Sequence, residues 1–410
     1  MGRALRIGLF SPFFGATVGG GEKYLGVAAE AVRDGFPGHR VDLVGAVPAD
    51  VAMYQRMLRL DLGGIGIRST NDRAGAGRRG LKNVAWLRPL RDLAIAAQAA
   101  RISRDYDLFL SMVYVIPSHS RARRTVILCQ FPYPVDAGAG GSWRRRLLAG
   151  PMRGAMRRLL GEDVTAAREV ICQSEFVRAW VQRYWHRDPT VITPPIDVPD
   201  AEPDLAAKSR TILSVGRFFT GGHAKRQDLM VRAFRDLCDG GLGGWELHLA
   251  GSVHREGHNA GYFEAVGRLA EGYPVVLHPD ATYEEVQGLY RSASIYWHAA
   301  GFGVDATARP IDAEHFGMTT AEAMGHGVVP VAIAAGGQPE VVRDGADGYL
   351  WSDLDQLRSR TLELAGDEAL RRRLALAARE SSRRFSRPSF KARMVAALEP
   401  VVRELEAEPA

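Results

Sequence analysis

The sequence predicts an α/β protein with two domains, each built on a doubly wound parallel sheet. Two observations support this. Apolar strands alternate with helical patterns over most of the 410 residues, and the alternation stops near residue 200 and then begins again. Residues 198–209, rich in Pro, Ala and acidic residues, are typical of an interdomain linker. We therefore expect an N-terminal domain over residues 1–200 and a C-terminal domain over residues 206–384. The last helix, within residues 385–410, would cross back to the first domain.

In the first half, the predicted strands are short apolar runs bounded by turn residues. They lie at 5–10, 41–46, 107–113, 124–130, 169–174 and 190–197. Helical periodicity predicts helices over 24–32, 90–102 and 175–185, and Ser174 suits the N-cap of the third. Residues 63–82, rich in Gly and Arg, are typical of an exposed loop.

The same pattern runs through the second half. Strands are predicted at 211–216, 246–251, 275–278, 294–299 and 328–334, and helices at 227–237, 262–271, 284–291 and 390–406. A short helix beginning near Met318 or Thr319 and stopped by Gly325 connects the last two strands. Strand, glycine loop and helix in this order form a βαβ crossover, and such sheets hold ligands at the carboxyl ends of their strands.

Composition narrows the protein class. Hydrophobic content of 46% and charged content of 24% are those of an ordinary globular protein. The three cysteines are far apart and lack metal-site spacing, so we expect neither a disulfide framework nor a zinc site. We expect a cytoplasmic location, where thiols stay reduced. No apolar stretch approaches the roughly 20 residues that span a bilayer. Pro12 and Gly15 interrupt residues 1–21, which predicts a first strand and not a signal peptide.

Charge is distributed unevenly between the halves. Residues 1–200 contain 29 Lys and Arg against 18 Asp and Glu, a net charge of +11, although the whole chain carries +6. An anionic partner for the first half is expected. Because no helix-turn-helix, zinc-finger or aromatic RNA-binding motif is present, we do not expect nucleic acid. The basic amphipathic stretch 144–158 is either a solvated helix face or a contact with anionic lipid headgroups at the inner membrane face.

Two carboxylates, Glu314 and Glu322, flank the start of the helix predicted near Met318. That helix would aim its free N–H groups and positive dipole end at an anion such as a phosphate. Glu314 would lie just before the helix and Glu322 about one turn into it. The alternative is a polar loop followed by an ordinary surface glutamate.

Two cations occupy the loop after the strand 211–216. The Arg217 guanidinium suits phosphate oxygens and the Lys225 ammonium supplies a point charge, so together they could neutralise a diphosphate without a metal ion. Gly19-Gly20-Gly21 follows the first strand and either lets a ligand approach the backbone or forms a plain tight turn. Two Asp-x-Asp runs, at 105–107 and 353–355, lie away from the carboxyl ends of strands, so we expect no metal site.

Taken together, these motifs resemble retaining nucleotide-sugar glycosyltransferases of family 4, which have the GT-B fold of two Rossmann-like domains facing a cleft. The resemblance rests on Ser214-Val-Gly-Arg217 with Lys225, on Glu314-x7-Glu322, on Glu322-Ala-Met-x-x-Gly327-x-x-Pro330-Val331, and on Gly336-Gly337-x-Pro339-Glu340. It covers nearly the whole chain and is strongest over residues 211–351. The run Glu314-His-Phe-Gly317 is similar to mannosyltransferases of lipid-linked oligosaccharide assembly and to their bacterial relatives.

The resemblance implies a UDP- or GDP-sugar donor as substrate, with no cofactor. Glu314 would contact the donor sugar near its anomeric carbon, and Glu322 would accept hydrogen bonds from the ribose. Arg217, Lys225 and the backbone of residues 318–320 would hold the diphosphate. Backbone near Ala281 would meet the base. Gly20 and Gly21 of the other domain would close over the phosphates. The acceptor would lie mainly against the first domain.

One position departs from the family pattern. Many members have a histidine where the strand 124–130 here ends in Gln130, and glutamine cannot act as a general base at neutral pH. Either Gln130 keeps a positioning role or the proton goes elsewhere, for example to the leaving phosphate. His298, at the end of the strand before the Gly301 loop, either faces the sugar or is a structural histidine.

The predicted activity is therefore retaining transfer of a hexose from UDP- or GDP-sugar to an acceptor hydroxyl, in glycan, polysaccharide or glycolipid assembly. The acceptor would be a glycan, a lipid-linked molecule or a small molecule. Two alternatives are a glycosyltransferase that tailors a soluble natural product and a non-catalytic nucleotide-sugar-binding protein. Gln130 is the feature that favours the latter.

Overall fold

The structure is a computed structural model that describes residues 3–70, 88–114, 119–132, 158, 162–253, 255, 259 and 261–409. The chain divides into two compact units. The first unit is Met1–Pro195 with Phe390–Ala410, and the second unit is Ile196–Ser389. Of the basic stretch 144–158, only Arg158 lies within the described residues. It is exposed and pairs with Glu162 at 2.9 Å.

The first unit is a parallel sheet with strand order β3-β2-β1-β4-β5-β6-β7 in its described part. The strands are β1 Arg6–Ser11, β2 Arg40–Gly45, β3 Gly66–Ser69, β4 Leu108–Tyr114, β5 Arg124–Phe131, β6 Glu169–Cys172 and β7 Thr190–Val191. The described helices that connect them are α1 Gly20–Gly35, α2 Val51–Leu58, α3 Arg88–Ser103 and α4 Glu175–Trp185. Strand β1 is almost wholly buried, which fits its apolar sequence and central place in the sheet.

Two predicted elements of this unit differ from the structure. The strand predicted over 190–197 is only Thr190–Val191, because the prolines at 194 and 195 have no N–H to donate to a neighbouring strand. Part of the predicted loop 63–82 is the edge strand β3, which pairs with β2 in parallel. This strand was not predicted, because the segment is rich in Gly and Arg and the strand is only half-buried.

The second unit is another parallel sheet, with strand order β10-β9-β8-β11-β12-β13. Its strands are β8 Thr211–Val215, β9 Glu246–Gly251, β10 Val275–Pro279, β11 Ile295–His298, β12 Val329–Ile333 and β13 Tyr349–Trp351. Its helices are α5 Gln227–Asp239, α6 Tyr262–Ala270, α7 Tyr283–Ser292, α8 Met318–Gly325, α9 Gln338–Val341, α10 Leu354–Gly366 and α11 Glu368–Ser382. The strand order reverses between β8 and β11, which is where open α/β sheets form ligand crevices.

The last helix, α12 Arg387–Ala407, begins in the second unit and continues as part of the first. Its Phe390 ring packs edge-on against Tyr24 of α1, with centroids 4.9 Å apart. Arg124 at the start of β5 pairs with Glu404 of α12 at 2.7 Å. The predicted fold class is confirmed: two Rossmann-like α/β domains, with a C-terminal helix that returns to the first. None of the described helices combines the length and apolar character needed to cross a membrane.

Candidate active site

The site of the second unit is organised around the start of α8. Gly317, which precedes the helix, has a φ of 104°, a left-handed conformation that favours glycine. A Cβ added there would overlap the side-chain amide of Gln338. The chain can therefore turn sharply into the helix while Gln338 remains packed beneath the turn.

The first N–H groups of α8 are open to a ligand. The amides of Thr320 and Ala321 donate to the carbonyl of Gly317, at 3.1 and 3.2 Å. Those of Met318 and Thr319 have no acceptor among the described residues. Unsatisfied N–H groups at the positive end of a helix dipole attract anions.

Two buried tyrosines support this helix start. The Tyr296 hydroxyl donates to the Val215 carbonyl at 3.3 Å and lies 2.8 Å from Thr319 Oγ1, which connects α8 with the end of β8. The Tyr290 hydroxyl donates to the Thr319 carbonyl at 3.2 Å. Burial raises the pKa of both hydroxyls. Both tyrosines therefore remain neutral donors over the physiological range.

Lys225 and Glu314 form an ion pair at the carboxyl ends of β8 and β11, in which Lys225 Nζ donates to Glu314 Oε2. His298, the last residue of β11, places its Nε2 3.3 Å from the same carboxylate oxygen. The Lys225 stem passes over Gly216, where an added Cβ would lie 2.5 Å from Lys225 Cγ. Gly216 therefore leaves room for this lysine to reach the glutamate.

The ion pair determines the charge of this cluster. Burial alone would raise the pKa of Glu314, but Lys225 and His298 together hold it well below its usual range, so Glu314 is a carboxylate. Burial lowers the pKa of His298 despite its bond to Glu314, so the imidazole is neutral near pH 7. A neutral His298 that donates from Nε2 leaves Nδ1 unprotonated, and no described group bonds to that buried atom.

The loop that carries Arg217 is fastened to the segment before Glu314. The His223 amide donates to the Asp312 carbonyl at 3.3 Å. The His223 and His315 rings meet edge to face with centroids 4.5 Å apart. Arg217 itself is exposed, and its guanidinium lies over the Phe219 ring at 5.1 Å. None of the described carboxylates pairs with Arg217, so its charge is available to a ligand.

The other predicted residues fall in two places. Glu322 is half-buried on α8, where its carboxylate contributes to the raised pKa of Tyr290. Ala281 precedes the Thr282 capping box that begins α7. Gly20 and Gly21 begin α1 in the first unit, where the nearest atom to an added Cβ at Gly21 is Met112 Sδ, 3.9 Å away. Packing therefore does not require glycine at position 21.

Gln130 lies in the last part of β5 and is half-buried. Its backbone carbonyl accepts a hydrogen bond from Gln173 Nε2 at 2.8 Å. The structure thus groups Arg217, Lys225, His298, Glu314, Glu322, Ala281 and residues 318–320 in the second unit, whereas Gly20, Gly21 and Gln130 belong to the first.

Residues 199–381 match the family model of glycosyl transferases group 1. This segment is a glycosyltransferase group 1 domain. The match ends at α11 and includes every element of the site described for the second unit.

Known proteins are similar to this chain in sequence over part of its length and in fold over nearly all of its length. It is 35% identical over 113 residues to the D-inositol 3-phosphate glycosyltransferase of Xylanimonas cellulosilytica. That match covers 27% of this chain and only 24% of the relative.

Among solved structures, sucrose-phosphate synthase from Thermosynechococcus elongatus superposes with a TM-score of 0.70 at 18% identity, covering 98% of this chain and 100% of that one. HepE of Anabaena in complex with UDP-glucose gives a TM-score of 0.64 at 16% identity, covering 97% and 100%. These likenesses show the GT-B fold.

Several residues of the group 1 domain contribute to the site without having been predicted from the sequence. Tyr290 and Tyr296 support the start of α8, Gln338 lies beneath it, and His223 and His315 join two loops. Each acts through a contact between elements that are distant in the sequence. The one available signal was the polar Gln338 within the Gly336-Gly337-x-Pro339-Glu340 motif.

The group 1 domain thus presents two cations, a helix N-terminus and a partly buried carboxylate at one end of its sheet. Such a set can bind a diphosphate and orient a hydroxylated group beside it. Within the described residues, no group of three or more His, Cys, Asp or Glu side chains is placed to hold a metal ion.

Proposed function

We propose that the protein is a retaining glycosyltransferase that moves a sugar from a UDP- or GDP-sugar to an acceptor hydroxyl during glycan, polysaccharide or glycolipid assembly. The observation that carries this proposal is the Lys225–Glu314–His298 cluster beside the open N–H groups of Met318 and Thr319. A carboxylate held ionised next to an anion-binding helix start suits a sugar diphosphate, with its sugar at Glu314.

The relatives support this substrate class. The Xylanimonas protein is named as a glycosyltransferase, and the Anabaena structure contains UDP-glucose. A group 1 domain with a comparable fold is therefore expected to take a nucleotide-sugar. The family 4 assignment and the closeness to mannosyltransferases belong to this proposal as well.

Each donor group has a proposed partner. Arg217 and Lys225 would neutralise the diphosphate together with the amides of residues 318–320. Glu322 would accept from the ribose hydroxyls, and the backbone at Ala281 would meet the base. Gly20 and Gly21 of the first unit would approach the phosphates through their backbone. No cofactor or metal is part of this scheme.

The reaction replaces one bond at the anomeric carbon with another on the same face. The acceptor oxygen bonds to that carbon as the bond to the β-phosphate oxygen breaks, and the hydroxyl proton passes to the leaving phosphate. Products are the glycoside and free UDP or GDP. Because the phosphate takes the proton, Gln130 need not act as a base and would only position the sugar or the acceptor.

Glu314→Ala and Lys225→Ala are expected to lower turnover by about 100-fold or more, since each removes a charge aligned on the donor. Arg360→Ala is a matched control, because Arg360 pairs with Glu363 at the surface at 3.0 Å. Release of UDP or GDP from a panel of donors and acceptors measures the rate. Wild-type rates in both folded site variants would refute the proposal.

One observation, Gln130 in place of a histidine, favours a second candidate, a non-catalytic nucleotide-sugar-binding protein. Such a protein would bind a donor but release no UDP or GDP with any acceptor. If release occurs only with small soluble acceptors, the enzyme tailors a natural product. The same assay therefore separates all three functions.

The basic stretch 144–158 supports a peripheral contact with an anionic membrane at the cytoplasmic face. Neutralising Arg144, Arg145 and Arg146 together should reduce co-sedimentation with vesicles that contain anionic lipid, since each basic residue near the surface contributes about 1 kcal/mol. Neutral vesicles are the control. Unchanged co-sedimentation with anionic vesicles would contradict the contact.

A further inference from the structure

The carboxyl end of α8 is capped by two basic side chains, Arg379 and Lys208, that come from distant parts of the chain. Carbonyls inside the helix end are satisfied locally, since Glu322 accepts from His326 Nδ1 at 2.9 Å and Met324 accepts from the Gly327 amide at 2.9 Å. The Gly325 carbonyl instead accepts from Arg379 Nη1 at 2.9 Å. The His326 carbonyl accepts from Lys208 Nζ at 2.8 Å.

Lys208 lies in the segment that opens the second unit, just before β8. Its Nζ also donates to the Tyr290 carbonyl at 3.0 Å, so it connects α7 to the end of α8. Burial lowers the pKa of this amine to about 7. The Tyr290 ring stacks on His326 with centroids 5.2 Å apart, and its hydroxyl reaches the Thr319 carbonyl. Lys208 is therefore two contacts away from the first turn of α8.

Arg379 of α11 makes the second connection. It is 3% exposed and donates to three carbonyls, those of Gly325, Pro199 and Ala201. Pro199 and Ala201 belong to the same opening segment as Lys208. One buried guanidinium thus fastens the end of α8 both to α11 and to the chain that precedes β8.

The Arg379 guanidinium complements the negative end of the helix dipole. Lys208 Nζ donates to its two carbonyl acceptors in either protonation state, because a neutral amine keeps two N–H bonds. Here the helix has only eight residues and spans about 12 Å, so a shift at one end is transmitted directly to the other. The two carbonyls that Arg379 and Lys208 hold are the last ones of the helix and its C-cap. Losing either partner would leave a buried acceptor unpaired and release that end.

We propose that Lys208 and Arg379 are positioning residues for the anion-binding end of α8. By fixing the C-terminal end, they keep the amides of Met318 and Thr319 and the carboxylate of Glu322 aligned on the nucleotide. The inference rests on the proposed function for the identity of that anion. The positioning itself is a property of the unbound protein and can be measured there.

The test compares Lys208→Met and Arg379→Met with Lys208→Arg, which keeps a hydrogen-bond donor at that position. Arg372→Met is the matched control, because Arg372 lies on α11 as well but pairs with Glu368 at the surface at 2.9 Å. Binding of UDP and of GDP is measured by titration calorimetry. Hydrogen exchange of residues 318–325 and the Tm are measured without nucleotide.

We expect the Kd of the nucleotide to rise about tenfold in both Met variants, as for loss of one buried hydrogen bond. In the Met variants, hydrogen exchange should quicken within residues 318–325. In Lys208→Arg, the nucleotide Kd and the exchange rates should stay within about twofold of the wild type. A purely structural role would lower the Tm of the Met variants without changing their affinity for nucleotide.

Folded Met variants that bind nucleotide as tightly as Arg372→Met would overturn the inference. Hydrogen exchange that quickens evenly across the second unit would also overturn the inference. If the wild type binds neither UDP nor GDP, the proposed function fails instead. In that case faster exchange confined to residues 318–325 still supports the positioning role, and unchanged exchange there refutes it.

Discussion

Buried histidines in the second unit remain uncharged, and this has a consequence for its stability in acid. Burial lowers the pKa of His315 to about 3 and that of His326 to about 4, against an ordinary value of 6.5. Below pH 6.5 the unfolded chain takes up protons that the folded protein does not. Each histidine therefore costs about 1.4 kcal/mol of unfolding free energy per pH unit, until its folded pKa is reached.

His326→Asn should reduce the loss of unfolding free energy that occurs as the pH falls. Asparagine can still donate to the Glu322 carbonyl, as His326 Nδ1 does, but it does not titrate. Between pH 6 and pH 5 the variant should lose about 1 kcal/mol less unfolding free energy than the wild type, measured by urea denaturation. His186→Asn, at an exposed histidine of the first unit, is the control. An equal loss in both variants would show that His326 is protonated in the folded protein.

The positions of the site residues were predictable from the sequence because each follows a strand. Lys225 and Glu314 both come after apolar runs that end in glycine-containing loops, and parallel strands bring such loops together. Their bond to each other, the third partner His298 and the neutral state of that imidazole depend on side-chain geometry. The sequence left His298 between two roles, and its contact with Glu314 was not predicted. The assigned roles stay predictions.

At the scale of elements, the short helix α8 depends on one glycine. Gly317→Ala should destabilise the protein by about 1–3 kcal/mol, because the side chain meets both an unfavourable φ and the Gln338 amide. Gly345→Ala is the matched control: its φ is 72° and nothing lies within 4 Å of an added Cβ, so it reports backbone strain alone.

Urea denaturation gives the difference between these two variants, and UDP and GDP titration reports the helix start. We expect Gly317→Ala to lose more stability than Gly345→Ala and to bind nucleotide more weakly. Equal losses in stability with unchanged binding would mean that Gln338 moves aside without disturbing Met318 and Thr319.

Strands with continuous apolar runs were predictable, and elements that depend on their neighbours were not. Strands β4, β5 and β12 were predicted within two residues at each end, since buried parallel strands are apolar throughout. The edge strand β3 is half-buried, and its sequence has no such run. The strand before the second unit ends early because proline cannot join a sheet ladder. The local sequence therefore predicts the burial of a strand better than it predicts strand pairing at the edge of a sheet.

At the scale of the whole molecule, each of the two units has a large hydrophobic core of its own among the described residues. Leu398 of α12 is fully buried in the core of the first unit, although the whole second unit, Ile196–Ser389, lies between α12 and the rest of that unit in the sequence. Leu364 of α10 is fully buried in the core of the second unit. The sequence predicted that the last helix crosses back because the second sheet was already complete before it, but the contact of Phe390 with Tyr24 required the structure.

A core in each unit predicts two unfolding transitions, one for each unit. Leu398→Ala and Leu364→Ala remove the same group from equally buried positions, and each should cost about 2–5 kcal/mol. Because each leucine packs in only one core, each substitution should lower the midpoint of a different transition in calorimetry. Hydrogen exchange assigns the transitions, since β1 reports the first unit and β12 the second. If both variants lower one common midpoint equally, the two units unfold together, and α12 then couples them into a single cooperative structure.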